Sequence, residues 1–259
     1  MLGWPVAHSR SPEMQNAALA AAGLADWRYQ LLPVPPELFE QTVRGLPGAC
    51  FRGANVTLPH KHAALALATD PTPRARAIGA ANTLTFEATG AIGADNTDAP
   101  ALVAALPFLA TGRTALVLGA GGTARAAVWA LLDAGADDVA VWNRTRERAV
   151  ALCAELGGTA VDRAGPADVL VNCTSIGLQA GDNSLKGLPV DADDLGKYDC
   201  VVDFVYRESE TPLAQAARER QIPVVDGLAL LLGQGALSFE RFTGRVAPID
   251  AMRSALRLP

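Results

Sequence analysis

Lysine, histidine, cysteine and aromatic residues are all scarce in this 259-residue chain, and the scarcity removes several function classes. The four cysteines, Cys50, Cys153, Cys173 and Cys200, are scattered, with no CxxC pair and no metal-ligand spacing. Neither a zinc ribbon nor a disulfide framework is expected, and each reads as a small apolar residue in a reducing compartment. His8, His60 and His62 form no ligand pattern with acidic residues, so no metal is expected. There is no basic cluster, and the net charge of −5 argues against a nucleic-acid partner held through its phosphates. No apolar run reaches the roughly 18 residues that a membrane span needs. Met1-Leu2-Gly3-Trp4-Pro5 has neither the charged start nor the apolar stretch of a signal peptide. The expectation is a cytoplasmic protein with a small-molecule ligand; monomer and homodimer both remain open.

What the chain does have is apolar residues, 50% against 19% charged, and enough length for one large domain or two modest ones. Its organising stretch is Leu116-Val117-Leu118-Gly119-Ala120-Gly121-Gly122-Thr123-Ala124-Arg125. An aliphatic strand climbs into glycines, and a helix-forming sequence follows at once. The spacing Gly119-x-Gly121-x-x-Ala124 is the fingerprint for a dinucleotide pyrophosphate. The first glycine turns the chain, the second lets backbone approach phosphate, and the third small residue lets helix pack on strand. The helix N-terminus adds N–H groups and partial positive charge. An ordinary glycine-rich turn of an α/β domain is the plainer alternative.

Around this motif, strands are expected near residues 115–118, 139–142, 169–172, 201–204 and 223–225, with helices at 123–132, 145–156 and 211–220. Near-continuous apolar strands alternating with helices predict a parallel sheet covered on both faces. The first hundred residues also alternate. Ser11-Pro12 should cap and open a helix ended by Gly23. A strand at 27–32, a helix at 35–44, a short strand at 53–57 and a helix at 61–68 follow. Asp70-Pro71-Thr72-Pro73 reads as a break, and Leu84-Thr85-Phe86 with Ala91-Ile92 as a hairpin. Thr97 or Asp98 is placed to cap a helix running on from Pro100. Residues 179–197, rich in Gly and Asp, read as a loop, and 228–243 and 249–258 as helices.

In NAD binders the second strand usually ends in a carboxylate for the ribose hydroxyls. Here Val139-Ala140-Val141-Trp142 runs into Asn143-Arg144-Thr145, where Arg144 can face a 2′-phosphate with a planar donor fork. Arg148 lies one helical turn on. NADP is therefore favoured over NAD, with a solvated arginine pair as the plainer reading. Polar residues also concentrate early: His8-Ser9-Arg10-Ser11, Asn55 and Thr57 with Lys61 just after, Asn82-Thr83, and Asn96-Thr97-Asp98. Any one of these groups can be no more than a cap or turn. Together they suggest a pocket for a polyhydroxylated ligand, with Lys61 and Asp98 as a charged pair for carbonyl chemistry.

The motifs HSRSP, NVTLPHK, GAANT, NTD, GAGGTARA, NRTRERA, NCTSIGL, DFVY…TPL and DGLALLLGQGALSF occur in this order almost from end to end. In order and spacing the chain resembles the shikimate dehydrogenases, NADP-dependent enzymes that reduce 3-dehydroshikimate to shikimate. The resemblance implies an α/β fold of two domains. Residues 1–99 and 228–259 would bind substrate, and 100–227 would form a doubly wound Rossmann domain for NADP. It implies Lys61 and Asp98 as the catalytic pair and Ser9 and Ser11 on the substrate carboxylate. Asn55, Thr57, Asn82, Asp98 and Gln234 would contact ring hydroxyls or the reacting oxygen, with Gln234 facing Asp98 across a cleft and Tyr206 at the pocket edge. Gly119, Ala120, Gly121, Gly122 and Thr123 would cradle the pyrophosphate. Asn143, Arg144, Thr145 and Arg148 would surround the 2′-phosphate. Asn172, Thr174, Ser175 and Gly227 would lie beside the rest of the cofactor. The chain departs from the family pattern in a short first strand, Gln15 for a common His, Glu208 for a common Pro and Leu230 for a frequent Met. A broader quinate/shikimate dehydrogenase and a noncatalytic NADP-sensing module are the alternatives.

Overall fold

The computed structural model describes residues 1–179 and 184–258. They form two compact units, Met1–Asp98 with Leu231–Pro259, and Ala99–Leu230.

The first unit opens with β1 (Leu2–Gly3), which pairs in parallel with β2 (Leu32–Pro33) and bridges to Val56. Between them lies α1 (Ser11–Ala21). The expected strand over 27–32 shrinks to its last residue, for a visible reason. The Asn16 amide bonds both backbone groups of Tyr29, accepting from its N–H at 2.8 Å and donating to its carbonyl at 2.9 Å. A side chain thus takes the place of a ladder partner. After a single 3-10 turn at Pro36–Leu38 comes α2 (Phe39–Gly45).

Strand β3 (Gly53–Asn55) leads to α3 (Lys61–Leu67). The stretch expected as a break is instead β4 (Asp70–Pro71) followed by α4 (Pro73–Ile78). Thr72 caps α4 by accepting from Ala75 N–H, proline stands at its first turn, and Gly79 ends it in the left-handed region (φ 74°). Strands β5 (Thr83–Phe86) and β6 (Ile92–Asp95) form the expected hairpin, in a four-stranded sheet of order β3-β5-β6-β4. Leu2, Phe39, Val43, Val56 and Leu84 make up much of its core.

Helix α5 (Asp98–Ala105) begins at Asp98 itself, so Asp98 is its first residue and not its cap. The second unit then runs β7 (Thr114–Leu118), α6 (Gly122–Asp133), β8 (Asp138–Trp142), α7 (Arg146–Leu156), β9 (Thr159–Ala160) and β10 (Val169–Asn172). β11 (Cys200–Asp203), α8 (Pro212–Glu219) and β12 (Val224–Val225) complete it. The sheet is six-stranded and parallel throughout, in the order β12-β11-β10-β7-β8-β9. Successive strand residues enter opposite layers, as the pleat requires. Val117, Val171 and Val202 pack with α6 residues Ala127 and Leu131, whereas Leu116, Leu170 and Val201 pack with α8 residues Leu213 and Ala217. This is the doubly covered sheet that the apolar strands imply. Sequence reading missed β9, whose two residues are too few to show a period, and a 3-10 turn at Asp193–Lys197 inside the expected 179–197 loop. Residues 180–183 of that loop lie outside the described residues.

Helix α9 (Gly227–Thr243) starts in the second unit and continues into the first, where α10 (Ile249–Ala255) packs on α1. Among the described residues no helix is long and apolar enough to cross a membrane.

Candidate active site

Six segments of the first unit converge on one buried polar cluster. Lys61, the first residue of α3, places Nζ 2.6 Å from Asp98 Oδ2, and the two side chains are only 11% and 8% exposed. Asn82 lies in the turn before β5 and donates through Nδ2 to Asp98 Oδ1 at 2.8 Å and to Thr97 Oγ1 at 2.9 Å. Its Oδ1 accepts from Thr97 N–H at 2.8 Å and from the Thr83 hydroxyl at 3.0 Å. Both carboxylate oxygens of Asp98 are thereby oriented, one toward the ammonium and one toward an amide. Asn96 fixes the turn from below: its Oδ1 accepts from Asp98 N–H at 3.1 Å and its Nδ2 donates to Ala80 O at 3.0 Å. A carboxylate paired this way offsets the cost of burying the lysine and aims its Nζ.

Asn55, the last residue of β3, joins the same cluster. Its amide donates to Ser238 Oγ at 2.7 Å and Thr83 Oγ1 at 3.1 Å, and its carbonyl accepts from the Tyr29 hydroxyl at 2.8 Å. Ser238 is fully buried, lies within 3.2 Å of the Thr83 and Thr97 hydroxyls, and donates to Gln234 O at 2.9 Å. Thr57 is half-buried two residues past Asn55, and a side chain on Gly3 would put Cβ 2.4 Å from its Cγ2. The bare glycine of the first strand is therefore what seats the Thr57 methyl. Gln234 is half-buried on α9 and donates to Leu231 O at 2.9 Å.

Ser9 and Ser11 lie together, with hydroxyls 3.1 Å apart. Ser11 is the first residue of α1 and not its cap, and the residue at the cap position, Arg10, makes no side-chain capping bond. The expected capping role for Ser11 is thus corrected: Ser11 N–H is itself received by Ser9 Oγ at 3.3 Å. His60 beside Lys61 is structural, stacked on Phe39 with centroids 4.3 Å apart and bonded to Val34 O at 2.7 Å; burial lowers its pKa.

In the second unit the glycine turn follows β7, at the point where the strand order reverses between β7 and β10. Gly119 has φ +112°, and a Cβ there would lie 3.2 Å from the Cys173 carbonyl. At Gly121, by contrast, a Cβ would meet nothing within 4 Å, and this N-cap residue of α6 has no side chain to cap the helix. An exposed bare backbone before an uncapped helix N-terminus fits a pyrophosphate. Gly122 and Thr123 open that helix, and Ala120 is half-buried in the turn.

After β8, Asn143 donates to Thr145 O at 2.8 Å and shapes the turn into α7. Arg144 and Arg148 are exposed and make no ion pair among the described residues, whereas Arg146 between them pairs with Asp162 at 2.6 Å. Two unpaired guanidinium groups beside a strand end without a carboxylate fit a phosphate. NADP thus fits the residues present.

Asn172, expected beside the cofactor, has its side chain engaged within the protein. It is fully buried, donates to Asp203 Oδ1 at 2.9 Å, and accepts from Thr174 N–H at 3.1 Å and from its hydroxyl at 2.7 Å. Thr174 Oγ1 in turn accepts from Ile176 N–H, and Ser175 is exposed at the tip. Gly227 is buried where a Cβ would lie 2.5 Å from Val205 O, so close backbone packing demands glycine there. Tyr206 follows β11 and is half-buried.

Sequence reading did not single out Tyr29, Ser238, Asp203 or Thr211. Ser238 stands four residues after Gln234, on the same helix face, and that spacing was the one available signal. Tyr29 had none.

Comparison with known proteins covers both units. A family model described as the shikimate dehydrogenase substrate binding domain matches residues 1–84. Models described as shikimate / quinate 5-dehydrogenase and shikimate 5′-dehydrogenase C-terminal domain match residues 104–175 and 227–257. The chain is 47% identical to shikimate dehydrogenase (NADP(+)) of Methylobacterium radiotolerans over 96% of its own length and 93% of the relative's. The shikimate 5-dehydrogenase of Thermus thermophilus, solved in complex with NADP(H) and shikimate, is 40% identical with a TM-score of 0.86, covering 99% and 97% of the two chains. A 5-ketofructose reductase of a Gluconobacter strain is 30% identical with a TM-score of 0.84, covering 99% and 96%. Likeness of this extent runs through the substrate-binding unit as well as the nucleotide fold, and the chain therefore belongs to the shikimate dehydrogenase family.

Proposed function

We propose that the protein catalyses the reversible NADPH-dependent reduction of 3-dehydroshikimate to shikimate, with Lys61 and Asp98 as its catalytic residues. The buried Lys61–Asp98 pair, oriented by Asn82, is the observation that carries this reading. NADPH, when bound, supplies a hydride. As negative charge grows on the ketone oxygen, the Lys61 ammonium stabilises it and donates a proton. Asp98 holds the ammonium in place through Oδ2, at 2.6 Å, and serves as its counter-ion before transfer. In the oxidising direction the neutral amine takes the hydroxyl proton back. Ser9 and Ser11 receive the substrate carboxylate. Asn55, Thr57, Asn82, Asp98 and Gln234 sort the ring hydroxyls, and Tyr206 borders the ring.

On the cofactor side, Gly119 to Thr123 receive the pyrophosphate, Asn143 to Thr145 with Arg148 the 2′-phosphate, and Thr174, Ser175 and Gly227 the remainder. The same reading carries a small-molecule substrate, no nucleic-acid partner, a cytoplasmic location, and a monomer or homodimer. The direct test is oxidation of shikimate with NADP+ and NAD+ side by side, with quinate as the competing substrate. Shikimate with NADP+ should be fastest. Activity with neither substrate overturns the reading. Arg144→Ala should raise KM for NADP+ about 10-fold or more while leaving NAD+ turnover little changed, since one charged contact to the phosphate is lost. Equal losses for the two cofactors would remove Arg144 from the 2′-phosphate site.

A further inference from the structure

Asp203 ends β11, is 1% exposed, and has no cation against it among the described residues. Three donors converge on it: Asn172 Nδ2 at 2.9 Å, Val205 N–H at 3.0 Å and the Thr211 hydroxyl at 2.6 Å. Thr211 Oγ1 already accepts Ala214 N–H at the head of α8, so its hydrogen is free to point at the carboxylate. The arrangement offers donors alone, which suits an ionised acid. Asn172 hands the constraint on: with its amide hydrogen on Asp203, its carbonyl must face outward to Thr174 and bond that residue's N–H and hydroxyl. The turn from Cys173 to Ile176 is thereby specified.

We propose that Asp203 is a positioning residue for the cofactor, holding Asn172 and through it the turn Cys173–Ile176 at the carboxyl end of β10. The proposal rests on the reading that this turn borders NADP. Burial opposes the charge and pushes the Asp203 carboxyl up to about 6, against the three hydrogen bonds that favour its ionised form. At neutral pH the ionisation of this buried acid therefore opposes folding. Around it, β10 presents the neutral Asn172 in register, the head of α8 presents the neutral Thr211, and β12 ends at Val225, the partner of Val202. The nearby charge is Asp226, itself 3.2 Å from Arg218.

The test compares Asp203→Asn with the wild type in the full chain, titrating NADP+ by fluorescence from pH 8 down to 5.5. The variant should bind NADP+ about 10-fold more weakly at pH 8, as expected for one lost charge-assisted hydrogen bond. Its shikimate affinity should be unchanged. The ratio of the two NADP+ dissociation constants should fall toward one as the wild-type acid protonates. A phosphate monoester titrates near pH 6 as well, but that effect cancels in the ratio. A ratio of one at every pH, even with a lowered Tm, overturns the proposal and leaves Asp203 a packing residue. Should Asp203→Asn fail to fold, Thr211→Val removes one donor to the ionised form and should move the pH midpoint of NADP+ affinity upward; an unmoved midpoint overturns the proposal. Amide hydrogen exchange separates the two readings. If NADP+ does not protect amides 173–177 of the wild type, the placement of the cofactor fails and the proposal with it. Protection together with a ratio of one defeats the proposal alone.

Discussion

Lys61 and Asp98 make a contact that neither residue has a reason to make except through the other. Each is a charge taken out of water, and at 2.6 Å each lowers the cost of burying its partner. Lys61→Ala should lower kcat by about 10²–10⁴-fold, the usual worth of a positioned general acid, while KM for shikimate moves far less. Steady-state kinetics on folded protein decide it, and a rise in KM alone would make Lys61 a binding residue. A quieter dependence links Gly3 to Thr57. The methyl added in Gly3→Ala would fall 2.4 Å from Thr57 Cγ2, so the threonine must move or the strand must shift. Overpacking of this kind costs about 1–3 kcal/mol. Gly3→Ala should therefore raise KM for shikimate and lower Tm, and Thr57→Ser in the same chain should restore both by removing the offending methyl. Failure of that rescue would mean that the added methyl acts elsewhere.

At the scale of elements, Asp95 is the tie between the small sheet and α9. It ends β6, is 4% exposed, and receives Arg74 Nη2 at 2.7 Å and Arg241 Nη2 at 2.6 Å. Burial alone would raise its carboxyl, but bonds from Arg74 and Thr72 and the charges of Arg74 and Arg241 outweigh it and hold the group below the ordinary carboxylate value. An acid with a depressed folded pKa stabilises fully above its unfolded value, near about 4, and loses that contribution as pH falls through the lower folded value. Asp95→Asn should thus be less stable than the wild type at pH 7, by about 1–3 kcal/mol, and the two should converge below about pH 4. Thermal melts across pH measure this. A gap that does not close in acid would show that packing, not charge, is lost. The anchor of α9 in the first unit was not legible beforehand: Arg241 and Asp95 are far apart in sequence, and no periodicity connects them.

For the molecule as a whole, two cores and the two ligand surfaces proposed above predict separate footprints. Shikimate alone should slow exchange at amides 55–62 and 82–98, and NADP+ alone at 119–125 and 143–148, because ligand binding stabilises the segments that it touches. Hydrogen exchange with each ligand in turn reads this out. Protection of 55–62 by NADP+ alone would contradict the assignment of the two surfaces.

Local chemistry made much of this protein legible before any coordinates. The glycine turn, the strand that ends in Asn143-Arg144-Thr145 in place of an acid, and the alternating helices and apolar strands all follow from short-range rules. Each is decided within a few residues: a turn needs its glycine, and a phosphate needs a backbone it can reach. The polar residues of the first hundred positions were equally visible, but their meaning was not, since a serine or asparagine at a strand end serves as well for a cap as for a ligand. The tertiary structure alone shows which partners they have. It made Ser11 a helical residue and not a cap, turned Asp98 onto Lys61 and Asn82, and put Ser238 and Tyr29 beside Asn55. It also turned Asn172 inward onto Asp203. The physical reason is range. Sequence patterns record which face of an element is apolar, whereas the partner of a buried polar group is fixed by whichever distant segment folds against it.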